Sequence, residues 1–386
     1  MRVLLIILDG LGIGALPDAD RYGDAGSATL PNLARVRGGV RLPRLGALGL
    51  GNIVAIAGVP AEIAPRGAYG RMAEKSPGKD STTGHWELAG LITKQPFPTY
   101  PDGFPREIIA AFEAAIGRGT LGNIAASGTE IIERLGDEHV RTGRPIVYTS
   151  ADSVFQIAAH EEVVPIEKLY EYCRIARDIL TGEHAVARVI ARPFAGKSGA
   201  YYRTPRRHDF SVLPSGETVL DRMTSSGIPV IAVGKVSDLF AGRGIGESVP
   251  TESNAQGVEA ILGAMKAARR GLIFANLVDF DMLWGHRNDV EGFARGLEEF
   301  DERFEEILGR MERDDLVIVT ADHGNDPTTP STDHSREYVP LLVAGRRVRA
   351  GADLGTRDSF ADVGATLAEL FGIAGPAAGR SFLPEI

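Results

Sequence analysis

Acidic and imidazole side chains stand at the ends of apolar runs in this sequence, a pattern suited to binding hard and borderline cations. Asp9 closes the run Arg2-Val3-Leu4-Leu5-Ile6-Ile7-Leu8. The run 272–277 leads into Val278-Asp279-Phe280-Asp281-Met282-Leu283-Trp284-Gly285-His286. The run 316–320 leads into Ala321-Asp322-His323-Gly324-Asn325-Asp326, and Thr332-Asp333-His334 follows shortly after. Carboxylate oxygens and imidazole nitrogens together suit Zn²⁺, Mn²⁺ and similar ions. Asp9, Asp281, Asp322, His286, His323 and His334 make six donors, too many for one open tetrahedral site and enough for two neighbouring ions. Such a pair can clamp both the attacking and the leaving oxygen of an in-line phosphoryl displacement. Taken singly, an Asp-Gly is ordinarily a turn and an Asp-His a surface pair. The weight lies in four such segments falling at one edge of the expected sheet.

A nucleophile is offered by Gly78-Lys79-Asp80-Ser81-Thr82-Thr83-Gly84-His85-Trp86-Glu87. A hydroxyl at a helix N-terminus is held near backbone N–H groups, and metal coordination would turn it into an attacking alkoxide. The same residues could serve only as a helix N-cap. The order of a phosphate-binding G-x-x-x-x-G-K-[ST] loop is not met.

The elements that must position these residues are strands and helices in alternation. Strands are expected at Val3–Leu8, Pro229–Val233, Leu272–Leu277, Leu316–Thr320 and Val339–Val343. Helices are expected at Ala255–Arg269 and Val290–Met311, the latter with Phe293, Leu297, Phe300, Phe304, Ile307 and Leu308 near a 3.6-residue period. Apolar strands alternating with amphipathic helices predict an α/β fold, a mostly parallel sheet sandwiched by helices. Ligands then sit beyond the carboxyl ends of the strands, where the acids and histidines lie.

The stretch 97–214 is richer in Arg, Pro and Gly and has its own strands (Pro145–Thr149, Val186–Ala191) and helices (Pro105–Ile116, Ile166–Leu180). It reads as an α/β cap domain inserted into a core made of 1–96 and 215–386. A chain of 386 residues suits two such domains. The net charge of −9 argues against nucleic acid and anionic membrane as partners, while leaving room for small anionic substrates. The sole cysteine, Cys173, removes thiolate ligands from consideration and falls on an apolar helical stripe, so it reads as core. No apolar run is long enough to span a bilayer. The six-residue apolar run at the start ends at an acid and reads as a strand, so a cytoplasmic location is expected. The charge does not define the oligomeric state.

Together the segments around Asp9-Gly10, residues 78–87, Asp279-Phe280-Asp281 with His286, and 321–326 with Asp333-His334 resemble the phosphopentomutase family of the alkaline phosphatase superfamily. The likeness also takes in Tyr148-Thr149-Ser150-Ala151-Asp152-Ser153 and Ala158-Ala159-His160-Glu161-Glu162, and so covers nearly the whole chain. It implies an alkaline-phosphatase-like core that interconverts ribose (or deoxyribose) 1-phosphate and 5-phosphate. One manganese would lie on Asp9, Asp322 and His323, the other on Asp281, His286 and His334. A sugar bisphosphate such as glucose 1,6-bisphosphate would prime the enzyme, and small-molecule sugar phosphates would be its partners. The phosphorylated residue falls on Ser81 where the family pattern has threonine, so Thr82 and Thr83 stay open as alternatives. Substrate contacts would come from Asp152, Arg188, Arg192, Arg203 and Arg206 in the cap, with Lys235 at the core edge. A phosphatase of the same superfamily and a phosphoglycerate mutase are rival readings. His139 and His184 read as surface residues, Trp86 as packing beneath the nucleophile loop, and His85 as either a supporting group or a core contact.

Overall fold

A computed structural model describes residues 1–150 and 152–386. Residue 151, within the Tyr148–Ser153 motif, lies outside the described residues. Contacts divide the chain into two units, Met1–Pro96 with Pro214–Ile386, and Phe97–Leu213.

The first unit is built on an eight-stranded sheet in the order Glu247–Val249, Val230–Val233, Gly271–Leu277, Arg2–Leu8, Leu316–Thr320, Val339–Ala344, Ala68–Met72, Asp353–Arg357. The first five strands pair in parallel. Arg2–Leu8 is central and wholly buried, as a strand covered on both faces must be. Val339–Ala344 runs against both of its neighbours. The reason is local: after Thr320 the chain makes the loop 321–338 at the carboxyl edge and turns straight back, with no crossover helix to carry it to the opposite edge. The helix Val290–Gly309 buries Phe293, Leu297, Phe300, Phe304 and Ile307, the stripe its periodicity predicts. Among the described residues no helix is long and apolar enough to cross a membrane.

The second unit carries a sheet ordered Leu121–Ala125, Ile146–Thr149, Val154–His160, Arg188–Ala195 and Tyr202–Arg203, with His208–Ser211 also paired to Arg188–Ala195. Strand alternation gives it two cores. Val147, Phe155, Ile157 and Val189 pack with the helices Arg106–Ile116 and Ile166–Ile179, and Cys173 is buried among them. Ile146, Tyr148, Ala158 and Phe194 face the helix Gly128–Thr142.

Two surface expectations need correction. His139 is fully buried: its ring reaches the Arg144 carbonyl at 2.7 Å through Nδ1 and accepts the His160 N–H at 2.9 Å through Nε2. Burial lowers its pKa. His184 is half-buried against the Tyr100 hydroxyl, 2.6 Å from Nδ1. In both cases the satisfying partner is remote or in a loop, so local polarity misled.

Candidate metal centre and nucleophile

The carboxyl ends of three parallel strands deliver the acids. Asp9 follows Leu8, Asp322 stands two residues after Thr320, and Asp281 lies in the π-helical turn Phe280–Trp284 after Leu277. Such turns recur at functional sites because they re-aim side chains. His286 follows in the 3₁₀ turn Gly285–Arg287, and His334 comes from the loop before Val339.

Around Asp281 the geometry is close. His286 Nε2 lies 3.2 Å from its Oδ2 and His334 Nε2 lies 3.3 Å from its Oδ1. His323 Nε2 lies 3.4 Å from Asp9 Oδ1 and 3.5 Å from Asp322 Oδ2. Asp281, His286 and His334 form one grouping whose donor atoms can share an ion, and Asp9, Asp281 and His323 form another. The second grouping thus holds Asp281 where the sequence suggested Asp322, which stands beside it with Oδ2 3.5 Å from His323 Nε2 and Oδ1 accepting the Gly10 N–H at 3.2 Å.

The donor chemistry fits divalent ions. His286 is bonded through Nδ1 to the Thr332 carbonyl (2.7 Å) and His323 to the Gly324 carbonyl (3.0 Å), which places a proton on each Nδ1 and the lone pair on Nε2, facing the acids. Asp9 Oδ1 is buried and accepts no hydrogen bond among the described residues. Burial and the nearby Asp322 push Asp9 up to about 8, against the pull of Lys235. Burial pushes His323 down to about 4, so its ring is neutral. For Asp281 burial acts upward, but His334 and His286 prevail and hold it well below the usual carboxylate range. Clustered anions of this kind call for compensating positive charge.

Ser81 opens the helix Ser81–Leu88, and the cap is its neighbour Asp80, which accepts from Thr83 N at 3.0 Å and Thr83 Oγ1 at 2.6 Å. Thr83 is thereby committed to the cap. Ser81 Oγ lies 3.1 Å from His323 Nε2 and receives a hydrogen bond from Lys235 Nζ at 3.0 Å. Lys235 also pairs with Asp9 Oδ2 at 2.6 Å, so it stands among the acids and the hydroxyl. The helix approaches so closely that an added Cβ at Gly84 would overlap the Asp322 carbonyl.

Supporting residues surround the hydroxyl; His85 and Trp86 were weighed from sequence, Glu87 and Arg336 were not. His85, fully buried, is 2.8 Å from the Ser81 carbonyl and 3.1 Å from Asp322 Oδ2 through Nδ1, and accepts from Asn276 at 3.2 Å through Nε2. Glu87 collects Lys75 N, Ser76 N, Ser359 Oγ and Phe360 N. The Arg336 guanidinium binds Glu74 and the carbonyls of Ser76 and Gly78, fastening the segment before Ser81. Trp86 donates to the Leu239 carbonyl from a buried position.

In the second unit, Arg188 lies 3.4 Å from Asp209 and 3.7 Å from Asp152. Arg192 donates to Gln156 at 3.0 Å. Its pKa falls to about 10 through burial and the repulsion of Arg207, with Arg203 adding to it. Arg203 is exposed on its short strand, and Arg206 is paired with Glu161.

Comparison with known proteins agrees with this chemistry. Residues 1–375 match the Metalloenzyme superfamily model. Phosphopentomutases of Dictyoglomus turgidum and Acetivibrio thermocellus are each 60% identical over 385 residues, covering 100% of this chain and 98% and 99% of theirs. The chain belongs to the phosphopentomutase family. It is therefore a mutase of the isomerase class. A phosphopentomutase of Clostridium novyi is 56% identical over the same 385 residues. Among solved structures, Leishmania mexicana phosphoglycerate mutase aligns with a TM-score of 0.51 at 14% identity, covering 98% of this chain and 96% of that one. That likeness concerns the fold alone, the α/β core expected for the alkaline phosphatase superfamily.

Proposed function

We propose that the chain interconverts ribose and deoxyribose 1-phosphates with the corresponding 5-phosphates through a phosphoserine at Ser81. The carrying observation is the placement of Ser81 Oγ, within 3.1 Å of His323 Nε2 and 3.0 Å of Lys235 Nζ at the amino end of a helix. Asp9, Asp322 and His323 would hold one Mn²⁺, and Asp281, His286 and His334 a second. When bound, the ions supply Lewis-acid stabilisation to the phosphoryl oxygens and to the alcohol.

The chain's own residues do the rest. Ser81 stands at the amino end of its helix, where the helix dipole favours an anion. Lys235 donates to Ser81 Oγ, stabilising the oxygen as the phosphoryl group leaves. His85 and Asn276 keep the Asp322 side oriented, and Arg336 holds the incoming segment. Phosphoserine gives its phosphoryl group to the sugar monophosphate, the bisphosphate reorients, and the other phosphate returns to Ser81. Glucose 1,6-bisphosphate or a similar bisphosphate would load the serine at the start. Asp152, Arg188, Arg192 and Arg203 are assigned to the sugar phosphate. Arg192, crowded by Arg207 and Arg203, is relieved by an anion. Arg206 is proposed with them, its pairing to Glu161 being exchangeable for phosphate.

The test is incubation of the Mn²⁺-loaded enzyme with ribose 1-phosphate and a trace of bisphosphate. Formation of ribose 5-phosphate without free phosphate, with phosphoserine at Ser81 by mass spectrometry, is the expected result. Free phosphate as the main product would make the chain a phosphatase. Full turnover in Ser81→Ala would move the nucleophile elsewhere.

A further inference from the structure

Asp281 belongs to both candidate cation groups, so something must decide which group it serves. Asn325 is in position to do so. Its Nδ2 donates to Asp281 Oδ1 at 2.7 Å, and both residues are buried. The Asn325 backbone N–H donates to Thr29 Oγ1 at 3.0 Å. Thr29 in turn donates through Oγ1 (2.8 Å) and N (2.9 Å) to Glu337, which also receives Gly14 N and Ser335 Oγ. The amide is confined from the side as well: an added Cβ at Gly285 would stand 2.5 Å from the Asn325 amide carbon. Its orientation is thus fixed by backbone and packing rather than by Asp281 itself.

The amide also carries a penalty. Asn325 Oδ1 is buried and accepts no hydrogen bond among the described residues. An unmatched buried acceptor is destabilising, and an apolar residue of the same shape would avoid it. That cost is set against the charged hydrogen bond the same amide gives to Asp281.

We infer that Asn325 is a positioning residue: by bonding Asp281 Oδ1, which also lies 3.3 Å from His334 Nε2, it sets the carboxylate with Oδ2 3.2 Å from His286 Nε2 and so commits Asp281 to the ion held with those two histidines. The inference rests on the two-ion reading above. Asn325→Leu, close in shape and without a donor, frees Oδ1 and lets the carboxylate swing.

The test uses full-length protein stripped by chelation and titrated with Mn²⁺ by calorimetry in two backgrounds. With Asp9→Asn, the ion bound is that of Asp281, His286 and His334; here Asn325→Leu should weaken Mn²⁺ by about 10- to 100-fold, the usual effect of removing a partner that orients a ligand. With His286→Asn, the ion bound is that of Asp9, Asp322 and His323; here the same change should leave affinity within about threefold or raise it, because the orienting bond does not serve that ion. The ion-free Asn325→Leu protein should melt below its parent, since Asp281 Oδ1 loses its donor, and by a similar amount in both backgrounds. Equal losses of Mn²⁺ affinity in both backgrounds, or none in the first, would overturn the inference. Should the leucine variant not fold, Asn325→Ala, which removes atoms near Gly285 and adds none, must give the same split. A wild-type protein that takes up no Mn²⁺ would instead defeat the two-ion reading.

Discussion

Asp9 makes the ion-free protein sensitive to alkali in a way that can be worked through. Its ordinary pKa of 3.8 rises to about 8 in the fold, first through burial and then through Asp322. The folded protein therefore keeps a proton that the unfolded chain has released. Stability from this source is full below about pH 4 and drains away as pH climbs through 8, by about 1.4 kcal/mol per unit. His323 acts oppositely, from 6.5 down to about 4, so its influence ends by pH 6.5. Between pH 6.5 and 8 the Asp9 contribution is about 1.5 units, or about 2 kcal/mol. Asp9→Asn, an uncharged isostere, removes it and leaves every other titrating group in place. Trp86 and Trp284 are the only tryptophans and both belong to the first unit, so urea unfolding followed by tryptophan fluorescence reports on that unit. After chelation, the stability of wild type minus that of Asp9→Asn should fall by about 2 kcal/mol from pH 6.5 to 8. Saturating Mn²⁺ should flatten the wild-type decline, since an ion-bound Asp9 is a carboxylate throughout. A difference that stays level or rises across the window would refute the assignment of a shared, cation-demanding charge cluster to Asp9.

Lys235→Met should have two effects of opposite sense. Losing the ammonium beside Asp9 tightens Mn²⁺ binding by calorimetry, while losing the donor to Ser81 lowers kcat by about 100-fold. Arg336→Met strands Glu74, whose carboxyl burial already pushes well above its usual range, and should lower urea stability of the first unit by about 3–5 kcal/mol. Arg192→Gln should raise KM for ribose 5-phosphate about tenfold with kcat little changed, since a charged hydrogen bond to a phosphate present throughout the reaction is lost.

Which parts were legible in the sequence follows from where each residue's partners lie. The central strands were readable because burial on both faces demands unbroken apolar runs. Ala68–Met72 and Asp353–Arg357 were not foreseen: one is an alternating strand interrupted by Gly70 and Arg71, the other contains Gly355 and is largely exposed, and each depends on its neighbours for pairing. The reversed direction of Val339–Ala344 depends on the path of the loop before it. In the centre, Asp9, Asp281 and Asp322 announced themselves by type and by position at strand ends. Glu87, Arg336 and Asn325 did not, because their functions are defined by Ser359, Glu74 and Asp281, distant in the chain and unmarked by any local period. Ser81 was separable from Thr83 only once the Asp80 cap was seen.

The tight seat of Gly84 on the Asp322 carbonyl has a consequence for variation at position 81. The reach of that alcohol toward the ligands is set by main chain resting on main chain, so a hydroxyl amino acid placed there inherits its address from the scaffold. Serine and threonine then become interchangeable in location, and the extra methyl alters only how freely the oxygen turns about its own bond.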